Sequence, residues 1–202
     1  LESTDKHSHV LCLDAKTGET IWRIHRPSNA VGESFDAYNS ATVMESNGTA
    51  TIIIQGGDHT TGHDPLTGKE LWRFADNPKK QTHWRLIPTP VIAGDIIFCT
   101  QPRGAMAYGF RPTPDKEMDL TTADWLYEEQ TADVSSSVYY KKRLYVINEV
   151  RKTLTSIDPA SGKVIWTGDL QSPARYWSSP VAADNKIYCI NEDGGVSVVK
   201  AT

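Results

Sequence analysis

The densest group of residues that could bind a metal is the run Asp58-His59-Thr60-Thr61-Gly62-His63-Asp64. Imidazole and carboxylate groups are common ligands of zinc and other transition metals. The two histidines are four residues apart, which would place them on one face of a helix. The flanking residues instead predict strand, turn and strand, and residues four apart in an extended strand are separated by about 13 Å. We therefore expect a solvated loop, with a turn that joins the histidines as the alternative.

A second set of candidates precedes short segments that are rich in small residues and proline. His83, Trp84 and Arg85 lie before one such segment, and Asn39 and Trp177 lie in or beside two others. From this placement alone, we select Trp84, Arg85, Trp177 and Asn39 as candidate ligand-binding residues that face a central axis. The structural alternative for the two tryptophans is packing at a rim or between sheets, where a large aromatic ring buries much apolar surface.

The sequence contains no motif of an activated nucleophile or of a phosphate-binding loop. Cys12, Cys99 and Cys189 lie far apart in apolar segments. Their odd number and their surroundings favour three buried free thiols over a disulfide framework. We therefore predict no catalytic residue and no metal ligand.

The elements that position these residues follow from a segment that is repeated three times. Each copy has Asp at the start of a turn, Gly four residues later and Trp four residues after the Gly; the copies are Leu13–Trp22, His63–Trp72 and Ile157–Trp166. The glycines are 50 and 94 residues apart, and 94 is two periods of 47. Asp can cap a tight turn and Gly accepts positive φ, so each copy predicts a hairpin.

A second segment recurs with the same period. Its copies are Tyr38–Val43, Leu86–Val91, Val134–Val138 and Trp177–Val181. Small residues and proline in a strand indicate a crowded position or an edge. A strongly apolar strand follows each copy. A period in the forties with one tryptophan per unit is typical of a radial array of β-sheets.

We therefore predict an all-β fold, a β-propeller with four-stranded antiparallel blades, of which about four are present. The chain is treated as one propeller segment over residues 1–202, divided into a partial blade 1–30, blades 36–76, 84–130 and 133–170, and a partial blade 176–202. The unit 84–130 lacks the Gly turn and contains an insertion, Arg111 to Thr122. The residues that we expect to dock neighbouring blades are Gly18, Trp22, Gly68, Trp72, Trp125, Gly162 and Trp166.

Both ends of the segment fall within a blade, and no Met or signal peptide opens it. We expect a piece of a longer, seven- or eight-bladed propeller. Unpaired edges of such a segment favour association. The end strands could close a four-bladed ring within one chain, or two chains could form a homodimer through their blade edges; we favour the second arrangement.

The Asp-x-x-Thr-Gly-x-x-x-Trp unit resembles the tryptophan-docking motif of the PQQ-like propeller superfamily, which contains quinoprotein alcohol dehydrogenases and outer-membrane assembly lipoproteins. The segment from Ser178 to Tyr188 is similar to the inner hairpin of these repeats. In the dehydrogenases, PQQ lies between a Trp and a ring formed by two adjacent cysteines, beside a calcium held by Glu, Asn and Asp. This chain has no adjacent cysteines. The resemblance implies the fold and leaves activity open.

Composition narrows the class of partner. The net charge is −4 without a basic block, which argues against nucleic acid. No apolar run approaches the roughly 18 residues of a membrane span. The resemblance implies a bacterial periplasmic or cell-surface location.

Three functions remain open at this point. We expect a noncatalytic scaffold without a cofactor that binds an unidentified protein or small ligand on the propeller face. The long segment Arg103 to Thr122 is the candidate contact surface or a plain surface loop. The alternative is a fragment of a quinoprotein dehydrogenase that binds PQQ with calcium. The third is a sensor or assembly scaffold whose partner adds a strand to a blade edge.

Overall fold

The computed structural model describes residues 8–46, 48–114, 116–129 and 131–202. Within these ranges the chain is all-β, as predicted, and forms 18 strands with three short 3-10 turns and no α-helix. No helix of the described residues is long and apolar enough to cross a membrane. The strands are β1 His9–Leu13, β2 Thr20–His25, β3 Thr42–Ser46, β4 Thr49–Gly56, β5 His59–His63, β6 Glu70–Ala75, β7 Val91–Ala93, β8 Ile96–Thr100, β9 Ala107–Phe110, β10 Glu117–Asp119, β11 Trp125–Tyr127, β12 Val138–Tyr140, β13 Arg143–Asn148, β14 Thr153–Ile157, β15 Val164–Asp169, β16 Val181–Ala183, β17 Lys186–Ile190 and β18 Val196–Lys200. The 3-10 turns are Gly32–Phe35, Pro102–Gly104 and Leu120–Thr122.

The strands fall into two compact units. The first unit combines Leu1–Leu86 with Pro112–Thr121, and the second combines Ile87–Arg111 with Thr122–Thr202. The first unit therefore contains β1 to β6 and β10, and the second contains β7 to β9 and β11 to β18.

The first unit contains a two-stranded sheet, β1-β2, and a five-stranded sheet in the order β10-β6-β5-β4-β3. The fifth strand departs from the four-stranded prediction. Part of the insertion that we assigned to the unit 84–130 lies parallel to β6, with Met118 opposite Phe74. Met118 is 8% exposed, so this segment covers the outer edge of the sheet with an apolar contact.

The second unit contains three antiparallel sheets in the orders β11-β9-β8-β7, β12-β13-β14-β15 and β16-β17-β18. Successive sheets pack face to face through apolar side chains. One core cluster joins Ile96, Phe98 and Trp125 to Leu144 and Ile157. A second cluster, which includes Tyr145, Leu154, Tyr176, Ile187 and Cys189, joins the last two sheets.

The three repeated turns have nearly identical hydrogen bonds. In each, the main-chain N–H of Gly donates to the carbonyl of Asp, at 2.8 Å in the turns of Asp14 and Asp64 and 2.9 Å in that of Asp158. One carboxylate oxygen of each Asp accepts the N–H groups two and three residues later, such as Lys16 and Thr17. These bonds lower the pKa of Asp14 and Asp64, with Thr17 and Thr67 as the first donors. The glycine φ values of 74°, 76° and 69° explain the residue type at this position.

The unit that lacks the Gly turn uses an arginine instead. Arg111 donates from its main chain to Asp124 at 2.7 Å, and its guanidinium bonds Asp95 at 2.7 Å and also Asp124. The Arg111 guanidinium is the first cause of a lowered pKa at Asp95. These groups are largely exposed, so the ion pairs add little stability.

The cysteines are free thiols within the described chain. Cys99 and Cys189 are buried, and burial raises the pKa of Cys189 to about 11. Cys12 is only partly buried, so the prediction of three buried thiols was wrong at this position. It lies on β1, which pairs with β2 on one side only within the described residues.

Candidate functional site

Two of the repeat tryptophans bond a turn of the next repeat. In the first unit the indole N–H of Trp22 donates to the carbonyl of Pro65 at 3.0 Å. A Cβ at Gly68 would lie 2.6 Å from the Trp22 ring, so the turn leaves room only for glycine. In the second unit Trp125 donates to Pro159 at 2.8 Å. These contacts join the repeats and occupy the indole N–H groups of both tryptophans.

Trp72 and Trp125 each cover a glycine of their own sheet. Trp72 is 5% exposed and covers Gly62, where a Cβ would lie 2.1 Å from its ring. Trp125 covers Gly109 of its own sheet in the same way, at 2.4 Å. The indole nitrogen of Trp166 is buried without a hydrogen-bond partner among the described residues. Sequence reasoning missed the glycines beneath these rings, although each is cross-strand to its tryptophan in the hairpin register.

Of the predicted binding residues in the first unit, Trp84 and Arg85 lie in what we call the polar loop cluster. We define this cluster by residues 32–35, 56–59 and 76–85. Trp84 is 7% exposed, and its indole nitrogen is buried without a hydrogen-bond partner in the described chain. Its ring is therefore a packing element, in line with the structural alternative. Arg85 remains partly exposed, with its guanidinium 3.9 Å from the carboxylate of Glu33.

The exposed side of the polar loop cluster carries opposite charges. His83 is largely exposed and lies 3.8 Å from Glu33, the same carboxylate that faces Arg85. Such loose, solvated pairs contribute little to folding. They leave charged groups at the surface that a polar partner can bind.

The buried side of the polar loop cluster contains two carboxylates. Asp58 is 3% exposed and Asp76 is 1% exposed. Asn77 donates to Asp58 at 2.8 Å, while Gln55 and Thr60 donate to Asp76 at 3.2 Å each. The sequence analysis did not select Asp76. Its position directly after β6, the strand that pairs with the hairpin of Asp58, could have indicated that the two carboxylates lie close together.

Asn39 lies apart from the polar loop cluster. It lines a cleft of about 440 Å³ in the first unit, together with β1, Ile52, Ile54 and Gln55. The amide nitrogen of Asn39 is buried without a hydrogen-bond partner among the described residues. Both apolar and polar side chains line the cleft, and Arg26 is among them.

The run of metal-type residues forms part of a sheet, so the expectation of a solvated loop was wrong. Residues 59–63 are β5, the third strand of its sheet, and His63 is fully buried. His63 bonds the carbonyl of Gly68 at 3.0 Å and the hydroxyl of Thr61 at 2.9 Å. The guanidinium of Arg26 donates to the same hydroxyl at 2.9 Å. Burial lowers the pKa of both His59 and His63.

Among the described residues, no group of three or more His, Cys, Asp or Glu side chains could hold a metal ion.

Trp177 is the exposed candidate of the second unit, at 49%. Its neighbours in the chain are firmly held. Tyr176 is fully buried; its hydroxyl bonds Ser197 at 2.7 Å and its carbonyl accepts Ser135 at 2.9 Å. The hydroxyl of Ser179 accepts the N–H of Ser136 at 3.0 Å. A large aromatic ring is thus presented to solvent from a backbone that is fixed on both sides.

Charged groups lie in loops of the same unit. Asp133 accepts the main-chain N–H of Arg103 at 2.6 Å. Burial, and then the charge of Asp133, raise the pKa of Glu149, whereas the charge of Arg175 lowers it. One carboxylate oxygen of Glu149 is buried without a hydrogen-bond partner in the described residues.

The residues present do not fit the PQQ site that the resemblance implies. That site requires two adjacent cysteines, whereas Cys12, Cys99 and Cys189 lie in β1, β8 and β17. Of the two tryptophans predicted to face the axis, Trp84 is buried and Trp177 is exposed. We therefore derive no reaction through this cofactor.

Comparison with known proteins agrees with the repeat pattern. The family described as outer membrane protein assembly factor BamB matches residues 2–113 and 117–202. Over 82 residues, the chain is 30% identical to subunit 1 of the methanol dehydrogenase (cytochrome c) of Methylobacterium organophilum. This match covers 38% of the chain and 13% of that subunit, so the similarity is confined to a short part of the subunit.

Similar solved structures are distant in sequence. BamB from Moraxella catarrhalis has a TM-score of 0.57 at 13% identity, over 91% of this chain and 50% of that protein. Sqt1 of Saccharomyces cerevisiae has a TM-score of 0.63 at 9% identity, over 97% and 53%. The chain thus spans about half the length of these two proteins. At such identities the similarity shows the fold, and it confirms the predicted β-propeller class. The chain belongs to the PQQ-like β-propeller repeat family described as outer membrane protein assembly factor BamB.

Proposed function

We propose that this chain is a noncatalytic binding scaffold, exported to a bacterial periplasm or cell surface, which contacts another protein through loops at the ends of its strands. The observation that carries this proposal is Trp177, which is 49% exposed on an anchored backbone. Exposed tryptophans on rigid segments are frequent centres of protein interfaces, because they bury a large area at a small cost in conformational entropy. The match to an assembly-factor family supports a protein partner.

Binding to purified outer-membrane protein assembly machinery, reconstituted in nanodiscs, tests the proposal. Replacing Trp177 by Ala is expected to weaken binding by about tenfold or more, the effect of losing an interface anchor. Leu66→Ala is the matched control, because Leu66 is 84% exposed on a repeat turn of the first unit. Absence of binding by the unmodified chain, or equal loss in both variants, would contradict the proposal.

A second candidate function is a part of a quinoprotein dehydrogenase, favoured by the 82 residues that are similar to the methanol dehydrogenase subunit. Titration of the chain with PQQ and calcium, followed by tryptophan fluorescence, separates the two functions. Saturable binding with dye-linked methanol oxidation would support the dehydrogenase. No saturable change would remove this candidate and leave the scaffold.

We extend the scaffold proposal to self-association, in which two copies of the chain form a homodimer through the edges of their blades. Within the described residues, β18 and β1 each pair with a strand on one side only. Light scattering is expected to give about twice 22.4 kDa. A concentration-independent monomer would contradict pairing of this 202-residue chain with itself.

A further inference from the structure

The two buried carboxylates of the polar loop cluster, Asp58 and Asp76, are joined through the backbone. The main-chain N–H of Asp76 donates to the carbonyl of Asp58 at 3.0 Å. Asp58 has a φ of 69°, which holds the tip of the β4–β5 hairpin in the left-handed region. The pair therefore links the hairpin to the segment that follows β6.

Neutral side chains donate hydrogen bonds to both carboxylates. Asn77 bonds Asp58, and Gln55 and Thr60 bond Asp76. The remaining oxygen of Asp58 is buried without a hydrogen-bond partner among the described residues. The charged and titratable groups that face the pair are Arg26, whose guanidinium bonds the Thr61 hydroxyl and the His59 carbonyl, and the ring of His59. Asp76 is therefore buried beside a second carboxylate, and both features disfavour its ionised form.

The repeat shows that an acidic residue is not required at position 76. Leu170 occupies the corresponding place after β15, and its N–H donates to the carbonyl of Lys152 at 2.9 Å. Lys152 has a φ of 55° and thus matches Asp58 in conformation. Leu170 is 5% exposed and belongs to an apolar core cluster. The same backbone site therefore accepts a buried leucine, and Asp76 introduces an ionisable group that the fold does not demand.

The carboxylate pair is connected to the exposed part of the polar loop cluster. The Asn77 amide that bonds Asp58 also donates to the carbonyl of Gln81 at 3.0 Å. Ser34 of the first 3-10 turn donates to the same carbonyl at 3.0 Å. Glu33 donates from its main chain to Thr82 at 2.7 Å. The residues next in the chain are His83, Trp84 and Arg85.

We propose that Asp76, buried beside Asp58, is a protonation-dependent latch, in which a proton on Asp76 keeps residues 76–82 closed against the hairpin and the turn Gly32–Phe35. Loss of that proton places the negative charge of Asp76 in a buried site beside Asp58 and favours local opening of the segment that carries His83 and Arg85. Burial and the charge of Asp58 raise the pKa of Asp76 to about 6, against the hydrogen bonds of Gln55 and Thr60 and the charge of Arg26. The latch is therefore closed in mildly acidic solution and loosens near neutral pH.

Amide hydrogen exchange of residues 79–82, which include the N–H groups of Lys80 and Gln81 that bond Asn77, tests the latch in the full chain once it is corrected for the intrinsic rate at each pH. Opening that returns Asp76 to an ordinary pKa should become about tenfold more favourable between pH 5 and pH 8. The variant Asp76→Asn keeps the shape of the side chain and should remove this dependence. Asp169→Asn is the matched control, because Asp169 is an exposed carboxylate at the end of β15 and should leave the dependence unchanged.

A carbon-13 titration of the Asp76 carboxyl in the unmodified chain keeps the test independent of the variant's folding. A midpoint well above the ordinary range, together with exchange that follows the same curve, supports the latch. An ordinary midpoint overturns it, as does pH-independent exchange in the unmodified chain or an unchanged dependence in Asp76→Asn. None of these measurements needs the proposed protein partner, so failure of the scaffold proposal would leave this result standing.

Discussion

The indole N–H of Trp125 donates to the main-chain carbonyl of Pro159 at 2.8 Å, across 34 positions of the sequence. Its ring also lies 2.5 Å from where a Cβ of Gly162 would be. One side chain thereby joins a strand of one sheet to the repeated turn of the next. This relationship explains why Asp, Gly and Trp recur together in the sequence.

Replacing Trp125 by Ala is expected to lower the free energy of unfolding by roughly 3–5 kcal/mol, because a large buried aromatic side chain leaves a cavity. Trp125→Phe should lose less, since it removes mainly the hydrogen bond and part of the ring. Urea unfolding followed by circular dichroism measures both. Trp177→Ala, at a site that is 49% exposed, serves as the comparison and should cost about 1 kcal/mol or less. An equal cost at both tryptophans would contradict the docking role of Trp125.

The glycines of the turns provide a matched pair. Gly18 and Gly162 have φ values of 74° and 69°, so alanine meets a similar backbone penalty at either, of about 1–2 kcal/mol. A Cβ at Gly18 would contact nothing within 4 Å, whereas one at Gly162 would overlap the ring of Trp125. We therefore expect Gly162→Ala to be the more destabilising by about 1–3 kcal/mol, the usual cost of overpacking. Equal losses in thermal or urea unfolding would show that the contact is readily relieved.

Asp76 should make the free energy of unfolding depend on pH in a defined direction. Its pKa in the folded chain is about 6, above the ordinary value of 3.8, so the folded state binds the proton more tightly. Its stabilising contribution is complete below about pH 4 and is lost as the pH rises through 6. The difference in unfolding free energy between Asp76→Asn and the unmodified chain should therefore grow by up to about 3 kcal/mol between pH 4 and pH 7. Chemical unfolding at each pH gives this difference, and a flat difference would contradict the raised pKa.

The parallel strand β10 should depend on the burial of Met118. Met118→Ala is expected to destabilise the segment by about 2 kcal/mol, near the lower end for a buried methionine, since the strand is short and peripheral. Glu117 is exposed on the same strand, so Glu117→Ala is the control and should have little effect. Limited proteolysis between residues 111 and 122 reports the local change. Equal cleavage of both variants would show that the side chain does not hold the strand in place.

Much of the fold could be predicted because the turns are local. Asp14 and Gly18 bond each other within five residues, so residue type and conformation are coupled in the sequence itself. The period of the repeats then predicted the sheets. The position of the insertion in the fold was harder to predict, because the pairing of Met118 with Phe74 joins segments that are 44 positions apart and leaves no local signal in the sequence.

The candidate sites could be predicted only in part. The sequence showed that Trp84, Arg85, Asn39 and Trp177 lie in or beside the recurring segments with small residues and proline, but it did not show their exposure. Trp84 and Trp177 both lie in or beside a copy of the proline-containing segment, yet one is 7% exposed and the other 49%. Exposure depends on which loops cover a ring, and those loops come from distant parts of the chain.

The sequence by itself determined the repeat, the hairpin turns and the all-β propeller class, since these rest on short-range bonds and on a regular alternation of apolar residues. Only the tertiary structure decided that His63 is buried, that Asp58 and Asp76 share one buried site, and that Trp177 is exposed. Burial and charge proximity are sums over neighbours from several strands. An identical residue type, such as tryptophan or aspartate, therefore acquires a different role at each position.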